Sequence, residues 1–245
     1  MSLRPLTSAE LLSAWERGQG QPPVRQALAL LTAAQPDASL DDLARLSIGR
    51  RDAALLALRS QVFGSRLTSV VACPTCSEQL ELTFDAAEIG GESLALSAES
   101  LALTVGEYSV RFRLPNSLDV AAAQGSDAGA VRAALLDRCI LEARCGDEPV
   151  AAGELPAEVI SAVAGQMAEA DPMADIQISL TCPACRHAWQ ATLDIVSYFW
   201  AELQAWAYRL LAEVHTLAFA YGWGEADILA LSPWRRQFYL GMVAG

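Results

Sequence analysis

Two stretches of the chain decide the fold: VVACPTCSEQLELTFD at residues 70–85 and SLTCPACRHAWQATLD at residues 179–194. Each reads as a strand, a Cys-Pro-x-Cys turn and a second strand. A constant offset of 109 positions aligns the two stretches and pairs Cys73 with Cys182. The strand after the first turn alternates apolar and polar residues, which is typical of a strand with one buried face. The chain therefore carries the same cysteine hairpin twice.

The cysteines of these hairpins have the spacing of a structural zinc site. A Cys-x-x-Cys turn aims two thiolates at one point, and two such turns supply four sulfurs about 2.3 Å from one zinc ion. Zinc binding deprotonates the thiols and is coupled to folding. Four protein ligands leave no coordination position for a catalytic water. The sequence therefore predicts one structural Zn²⁺ ion, bound by Cys73, Cys76, Cys182 and Cys185.

Two other interpretations of the cysteines compete with this one. Zinc ribbons usually bring their halves together over about 15–20 residues, whereas Cys182 follows Cys76 by 106 positions. Each pair could instead be a redox-active dithiol, although neither lies in the βαβ pattern of a thioredoxin. Each pair could also be two buried thiols without a further role. The matching flanks favour the shared metal site over both.

The remaining sequence predicts an α+β fold, in which helical segments flank a small zinc-ribbon-like β unit made from the two distant hairpins. We divide the chain into an N-terminal helical segment at 1–65 and the β unit at 66–194. A long α/β insertion occupies about 86–175 of that unit. A C-terminal helical segment at 195–245 is expected to dock on the rest.

Periodicity, capping residues and turn residues predict the individual elements. Thr7 or Ser8 is expected to cap the first helix, and Glu10, three residues after Thr7, fits a capping box. Ser232 with Pro233 is expected to begin the last helix. The predicted helices are 8–18, 24–33, 39–46, 53–63, 118–123, 131–141, 156–170, 195–220, 225–231 and one from 233. The predicted strands are 67–72, 79–84, 101–104, 108–114, 176–181 and 188–193, with loops at 124–129 and 144–153.

Composition and charge narrow the class of protein. Hydrophobic residues make up 53% of the 245 residues and charged residues 19%, which argues against disorder. The net charge of −12 repels phosphate backbones, so no nucleic-acid partner is expected. The N-terminus lacks the apolar core of a secretory signal, and no window reaches the ~18 apolar residues of a membrane span. We expect a soluble, cytoplasmic protein without membrane insertion.

The other cysteines and the histidines favour structural interpretations. Cys139 lies on an apolar helix face, where a buried thiol is commoner than a nucleophile, and Cys145 lies in a polar loop. His187, two residues after Cys185, is interpreted as a surface residue or one that supports the ligands. His215 is interpreted as a helix residue with a satisfied ring.

The sequence offers no catalytic constellation. No P-loop or dinucleotide fingerprint is present. Carboxylates inside apolar stretches more often form ion pairs than acid–base dyads. The carboxylates concerned are Asp52, Glu202 and Glu213, and the arginines available to them are Arg50, Arg51 and Arg209.

The C-terminal segment is rich in aromatic residues and arginine. Tryptophan, tyrosine and arginine dominate the binding energy of protein interfaces. These side chains could equally pack the tail on its own domain, and the sequence does not decide between the two. The candidate partner-binding residues are Tyr221, Trp223, Trp234, Arg235, Arg236, Phe238 and Tyr239.

Several short motifs extend over nearly the whole chain. They are Leu46-Ser-Ile-Gly49-Arg-Arg51-Asp52 with the Leu-rich helix and Phe63-Gly64, the two Cys-Pro-x-Cys turns, Glu169-Ala-Asp171-Pro172, Trp200-x-Glu202, Val214-His215, Tyr221-Gly222-Trp223 and Arg235-Arg236. This set resembles the T4-type phage baseplate protein family, found beside contractile tails and phage-tail-like contractile injection systems. The resemblance implies a role in building the baseplate hub or joining tail parts, and it transfers no catalytic residues.

The leading hypothesis is a non-catalytic structural or assembly component of such a baseplate, braced by one zinc ion. Its partners would be other baseplate, hub, spike or tail-tube proteins, and a homo-oligomer is compatible with it. The alternative is a zinc-ribbon nucleic-acid-binding or transcription-related module, which the acidic charge disfavours. An enzyme with a hidden pocket is supported only by the size of the chain.

Overall fold

The computed structural model describes residues 3–89, 100–123 and 127–243. The chain divides into two compact units, Met1–Ala38 with Ile195–Gly245 and Ser39–Asp194. Both contain helices and only the second contains strands among the described residues, so the mixed class expected from the sequence is confirmed. Residues 39–65, which we grouped with the N-terminal helices, belong to the same unit as the cysteine hairpins.

The elements are numbered in chain order. The helices are α1 (Ser8–Gly18), α2 (Pro23–Ala34), α3 (Leu40–Ala44), α4 (Ile48–Phe63), α5 (Ala86–Ile89), α6 (Ser117–Ala122), α7 (Ala128–Cys139), α8 (Ala157–Ala170), α9 (Ile195–Tyr221), α10 (Glu225–Ala230) and α11 (Pro233–Val243). The strands are β1 (Arg66–Ala72), β2 (Gln79–Asp85), β3 (Leu101–Val105), β4 (Tyr108–Phe112), β5 (Ile140–Cys145), β6 (Glu148–Pro149), β7 (Gln177–Thr181) and β8 (Ala188–Thr192). Two 3-10 turns lie at Ala152–Glu154 and Pro172–Ala174.

In the first unit, α1, α2 and α9 pack against one another through apolar faces. The capping box predicted at Thr7 and Glu10 is present at the start of α1. The Trp200 ring lies against Gly18, where an added Cβ would come within 2.2 Å of the ring. Glycine at this position therefore allows α1 and the tryptophan of α9 to approach each other.

The helices α10 and α11 fold back on the C-terminal half of α9. Val214, Leu217 and Ile228 form their small apolar core. The Ser232 side chain accepts a hydrogen bond from the Arg235 N–H at 3.3 Å, as the capping prediction requires. The end of the chain is thus a helical unit with a core of its own.

The second unit contains two two-stranded hairpins, β1–β2 and β7–β8, and a four-stranded antiparallel sheet in the order β3-β4-β5-β6. Helix α8 covers that sheet. Val110 and Phe112 of the sheet pack with Val159 and Val163 of α8, and all four side chains are buried. The four-stranded sheet therefore has a core of its own.

Two element predictions need correction. Residues 140–145 form strand β5 on β4, whereas we expected a helix to continue through residue 141 and a loop from 144. The local sequence of Ile140 to Cys145 contains no turn residue and is compatible with either a helix or a strand. Pairing with β4 therefore determines that it forms a strand. Helix α4 begins at Ile48 rather than at 53, since Ser47 caps it. Of the loop predicted at 124–129, residues 124–126 lie outside the described ranges.

Among the described residues, no helix combines the length and the apolar character that crossing a membrane requires.

Candidate metal centre

The first Cys-Pro-x-Cys turn is closed by its own backbone. The Cys73 N–H donates to the carbonyl of Glu78 at 2.8 Å, and the Ser77 N–H donates to the carbonyl of Cys73 at 2.9 Å. Ser77 has a φ of 62°, in the left-handed region that residues other than glycine rarely adopt. This residue reverses the chain directly after Cys76, so both thiols point to the same side of the turn.

The second turn repeats this geometry. The Cys182 N–H donates to the carbonyl of His187 at 2.9 Å, and the Arg186 N–H donates to the carbonyl of Cys182 at 2.9 Å. Arg186 has a φ of 61° and corresponds to Ser77 at the same offset of 109. The internal repeat read from the sequence is therefore a repeat of backbone conformation.

The four thiols that the sequence predicts to converge do lie together. Their sulfurs are all within 4.8 Å of one another. The Sγ atoms of Cys73 and Cys185 are 3.7 Å apart, and those of Cys76 and Cys182 are 3.5 Å apart. The first cysteine of each turn is buried and the second is exposed. Four sulfurs in this arrangement are placed to hold one metal ion.

Ionisation of the cluster is uneven. Burial opposes ionisation of the Cys73 thiol, but the N–H groups of Cys76 and Thr75 outweigh it and lower the pKa to about 7. The Glu78 N–H favours the Cys76 thiolate, but the neighbouring thiols of Cys185 and Cys182 raise its pKa to about 12. The N–H groups of its own turn therefore favour the thiolate of Cys73, whereas the neighbouring thiols disfavour that of Cys76.

Helix α4 positions the segment that leads into the second hairpin. Asp171 ends α8 and begins the turn before β7, and its Oδ2 accepts a hydrogen bond from the Gly49 N–H at 2.8 Å. Ser47 also hydrogen-bonds this carboxyl group. Asp171 thus caps the N-terminus of α4 from 122 positions away in the sequence.

The opposite end of α4 positions the first hairpin. The buried Arg59 donates from Nη1 to the carbonyls of Gly64 and Arg66, at 2.7 and 2.8 Å. Gly64 ends the helix with a φ of 90°, and β1 begins two residues later. Each end of α4 therefore contacts the part of the chain that leads into one of the two hairpins.

The other candidate residues of the site lie outside the sulfur cluster. The His187 ring stacks on Trp189 with centroids 6.0 Å apart. Cys139 is buried, and burial raises the pKa of its thiol to about 11, as expected for a structural thiol. Cys145 is half-buried on β5, opposite Tyr108 of β4. The loop predicted around Cys145 is therefore partly a strand.

Two buried ion pairs use carboxylates singled out in the sequence. Arg51 Nε lies 2.7 Å from Asp52 Oδ1, and burial raises the pKa of the Asp52 carboxyl group. Glu213 accepts from Arg236 Nε at 3.1 Å rather than pairing with Arg209. The Arg236–Glu213 pair joins α11 to α9, whereas Arg51 and Asp52 are neighbours within α4.

The C-terminal aromatic and arginine residues fall into two groups. Tyr221, Trp223 and Tyr239 contact one another, with the first two rings stacked 4.6 Å apart. Arg236 is 3% exposed and also donates to the carbonyl of Leu231. These residues hold α11 on the rest of its unit.

The second group faces outward on α11. The Trp234 side chain is 74% exposed and that of Phe238 is 55% exposed, and the two rings stack 5.8 Å apart. Arg235 beside them is exposed. The sequence could not separate the two groups, because which face of α11 packs inward depends on α9.

A further feature that sequence reasoning missed is an arginine-lined cleft in the second unit. Its key carboxylate is Asp119, which is buried and contacts Arg113 and Arg138. The capping position of Asn116 was the only sequence signal near it.

The fold and the thiol cluster define a protein of mixed helix and sheet, whose two cysteine hairpins bring four thiols close enough to hold a metal ion. The family model described as T4 bacteriophage base plate protein matches residues 24–200, more than two thirds of the chain, and this stretch includes both cysteine pairs. The chain therefore belongs to the T4 bacteriophage base plate protein family, as the sequence motifs indicated. Searches of curated proteins and of solved structures found no match.

Proposed function

We propose that the protein is a non-catalytic structural or assembly component of the baseplate or hub of a contractile phage tail or contractile injection system. The observation that carries the proposal is the family match over residues 24–200. Convergence of the four thiols adds a reason why this chain can serve as a rigid part. A metal that joins two hairpins 109 positions apart closes a long loop, which restricts the unfolded chain.

We propose Zn²⁺ as the metal, with one ion per chain. A tetrahedron of sulfurs about 2.3 Å from zinc has edges of about 3.8 Å. The two distances of 3.7 and 3.5 Å between sulfurs of different turns are close to that edge. Thiolate ligands select zinc over hard cations such as calcium and magnesium. All four positions are filled by protein sulfur, so the ion would brace the fold without activating water.

We further propose that Trp234, Arg235 and Phe238 form the contact surface for a neighbouring baseplate, hub, spike or tail-tube protein. The two rings are exposed and stacked, and they offer the aromatic area that dominates interface energies. Arg236, Trp223 and Tyr239 support this surface from within the unit, and the exposed Tyr221 contacts the rings of Trp223 and Tyr239. Met242, which is 62% exposed, extends the apolar face formed by Trp234 and Phe238.

Co-purification tests the assembly role. The tagged chain is expressed with the tube, spike and other baseplate proteins of its own particle, and complexes are isolated both from finished particles and from assembly intermediates. We expect the chain in at least one of these fractions at a fixed ratio to another baseplate protein. A chain that is absent from both fractions contradicts the proposal.

Replacement of a cysteine tests the metal. Cys182→Ser should reduce the zinc content from one ion per chain to near zero and destabilise the fold by several kcal/mol, since structural zinc sites contribute ~10 kcal/mol or more of binding free energy. Elemental analysis and thermal unfolding measure the two effects. Cys145→Ser is the matched control, because Cys145 lies outside the cluster. Wild-type zinc content in Cys182→Ser would refute the four-sulfur site.

A further inference from the structure

Four guanidinium groups line one cleft of the second unit, with a volume of about 690 Å³. They come from four different elements. Arg45 follows α3, Arg50 lies in the first turn of α4, Arg113 follows β4 and Arg138 lies in the last turn of α7. The residues that line the cleft lie between Asp42 and Arg138 in the sequence, so no local run of charge reveals it. Convergence of this many arginines is notable in a chain with a net charge of −12.

A buried carboxylate fixes two of these arginines. The Asp119 side chain is 1% exposed, and its Oδ1 accepts from Arg113 Nη2 at 2.8 Å and from Arg138 Nε at 3.0 Å. Arg113 Nη2 also donates to the backbone carbonyl of Arg138 at 3.0 Å. One negative charge thus serves two positive charges, and it orients both guanidinium planes before any ligand arrives.

The remaining arginines add to the positive excess. Arg45 pairs with the exposed Asp41, which raises the pKa of its guanidinium, and the nearby charge of Arg113 works against that increase. Like charges are therefore held close enough to affect each other. Arg50 completes the wall. The four guanidinium groups therefore face three carboxylates, those of Asp42 and Asp119 in the lining and that of Asp41, the partner of Arg45.

We propose that this cleft binds an acidic segment of a partner protein, in which carboxylate side chains alternate with apolar ones. Guanidinium forks match carboxylates through paired hydrogen bonds. Leu46, Leu114 and Leu118 also line the cleft, so it offers apolar contacts between its charges. A sugar-phosphate chain would leave those leucines without apolar partners.

This inference is independent of the metal and of the α11 surface. All its residues lie within one unit, and none is a cysteine of the cluster or a residue of α11. Failure of the peptide test below would leave the zinc content and the co-purification results unchanged, so the two proposals can fail separately.

Fluorescence anisotropy with a labelled peptide tests the cleft. The probe is an eight-residue peptide that alternates glutamate with leucine and glycine, and its matched control carries glutamine in place of every glutamate. We expect the glutamate peptide to bind, the glutamine peptide to bind at least tenfold more weakly, and the affinity of the first to fall as salt is raised. Equal binding of both peptides, or no binding of either, overturns the proposal.

Arginine variants locate the binding. Arg45→Gln should weaken binding of the glutamate peptide. The double variant that combines Arg45→Gln with Arg138→Gln should weaken it at least tenfold. Arg132→Gln is the matched control, because Arg132 is an exposed arginine of the same helix as Arg138 and does not line the cleft. An equal loss in Arg132→Gln would show a general charge effect and overturn the assignment. Arg45 is exposed, so its single variant tests the site without endangering the fold.

A third arm distinguishes carboxylate from phosphate ligands. Tripolyphosphate and a ten-residue oligothymidylate are offered as competitors of the bound glutamate peptide. Weak competition, at concentrations far above that of unlabelled peptide, supports the peptide assignment. Displacement by either compound at lower concentration than the unlabelled peptide overturns the carboxylate assignment and makes the cleft a phosphate site.

Discussion

At the scale of single residues, Gly49 and Asp171 join α4 to the entry of the second hairpin. A Cβ on Gly49 would lie 2.1 Å from Asp171 Oδ1 and 2.8 Å from the backbone nitrogen of Ala174. Gly49→Ala must therefore displace the capping carboxylate, and we expect it to destabilise the fold by about 1–3 kcal/mol. Urea unfolding of the metal-loaded protein measures the change.

Gly165→Ala is the control for this substitution. Gly165 is also a helix glycine, but it lies exposed in α8 with nothing within 4 Å of an added Cβ. Alanine should stabilise that helix by about 0.5–1 kcal/mol. If both variants change the free energy of unfolding in the same direction, close packing against Asp171 is not the reason for glycine at position 49.

Asp119 gives a prediction about acid. Burial raises its pKa, but hydrogen bonds from Arg113, the Asn116 N–H and Arg138 outweigh burial and hold the pKa below its usual value. A carboxyl group with a lowered pKa stabilises the fold above the unfolded-state pKa of about 3.9, and this contribution is lost as the pH falls through the folded-state pKa. Asp119→Asn should therefore cost about 2 kcal/mol near neutral pH, because it weakens the charge-assisted hydrogen bonds to the partly exposed Arg113 and Arg138.

The difference in stability between wild type and Asp119→Asn should then shrink as the pH falls below about 4. Urea unfolding at several pH values measures it. Acid removes thiolate-bound metal from both proteins alike, so the difference isolates Asp119. A difference that stays constant down to pH 3 would show that ionisation of this carboxyl group does not account for the stabilisation.

At the scale of elements, the two hairpins differ from the four-stranded sheet in what supports them. Each hairpin has two strands, and isolated two-stranded hairpins are marginally stable at best. The four-stranded sheet has its own buried core with α8. We therefore expect removal of the metal by a chelator to loosen both hairpins while the sheet stays folded.

Hydrogen exchange measures this difference. After chelation, the amides of Cys73 and Cys182, which close the two turns, should exchange much faster, and those of Val110 and Ala143 in the sheet should keep their protection. Added zinc should restore the slow exchange. Loss of protection in the sheet at the same rate as in the turns would show that the metal supports the whole unit rather than the hairpins.

The hairpins could be predicted from the sequence because their information is local and occurs twice. Cys-Pro-x-Cys between alternating residues specifies turn and strands together, and the capping residues Thr7 and Ser232 likewise act within one helical turn. Strand β5 and the role of Asp171 could not be predicted in the same way. Their states are set by β4 and by Gly49, which are distant in sequence.

The candidate site shows the same division between local and distant information. The spacing of the cysteines predicted which four sulfurs lie together. It did not predict which contacts position the chain on either side of the hairpins. Arg59 and Asp171 act at opposite ends of α4, and neither carries a motif that marks it as an anchor. The arginine cleft was missed for this reason too, since its four guanidinium groups come from separate elements.

At the scale of the whole molecule, the family match and the proposed partner surface occupy different parts of the chain. The match ends at residue 200, within α9, and therefore excludes α10 and α11. The four clustered thiols lie inside the match, and the exposed aromatic face of α11 lies outside it. The match also takes in nearly all of α2 and the first residues of α9, so it covers parts of both units.

The α11 surface makes a prediction that separates binding from stability. Replacing both Trp234 and Phe238 with alanine should leave unfolding within about 0.5 kcal/mol of wild type, because both side chains are exposed. The same double variant should be lost from complexes with tail proteins, because large aromatic anchors carry most interface energy. Arg236→Ala is the contrasting control, since it breaks a buried pair with Glu213 and should cost about 3–5 kcal/mol. Thermal unfolding measures the stability of wild type, the double variant and Arg236→Ala, and co-purification measures their binding to tail proteins. A double variant that assembles as well as wild type would place the partner contact elsewhere on the molecule.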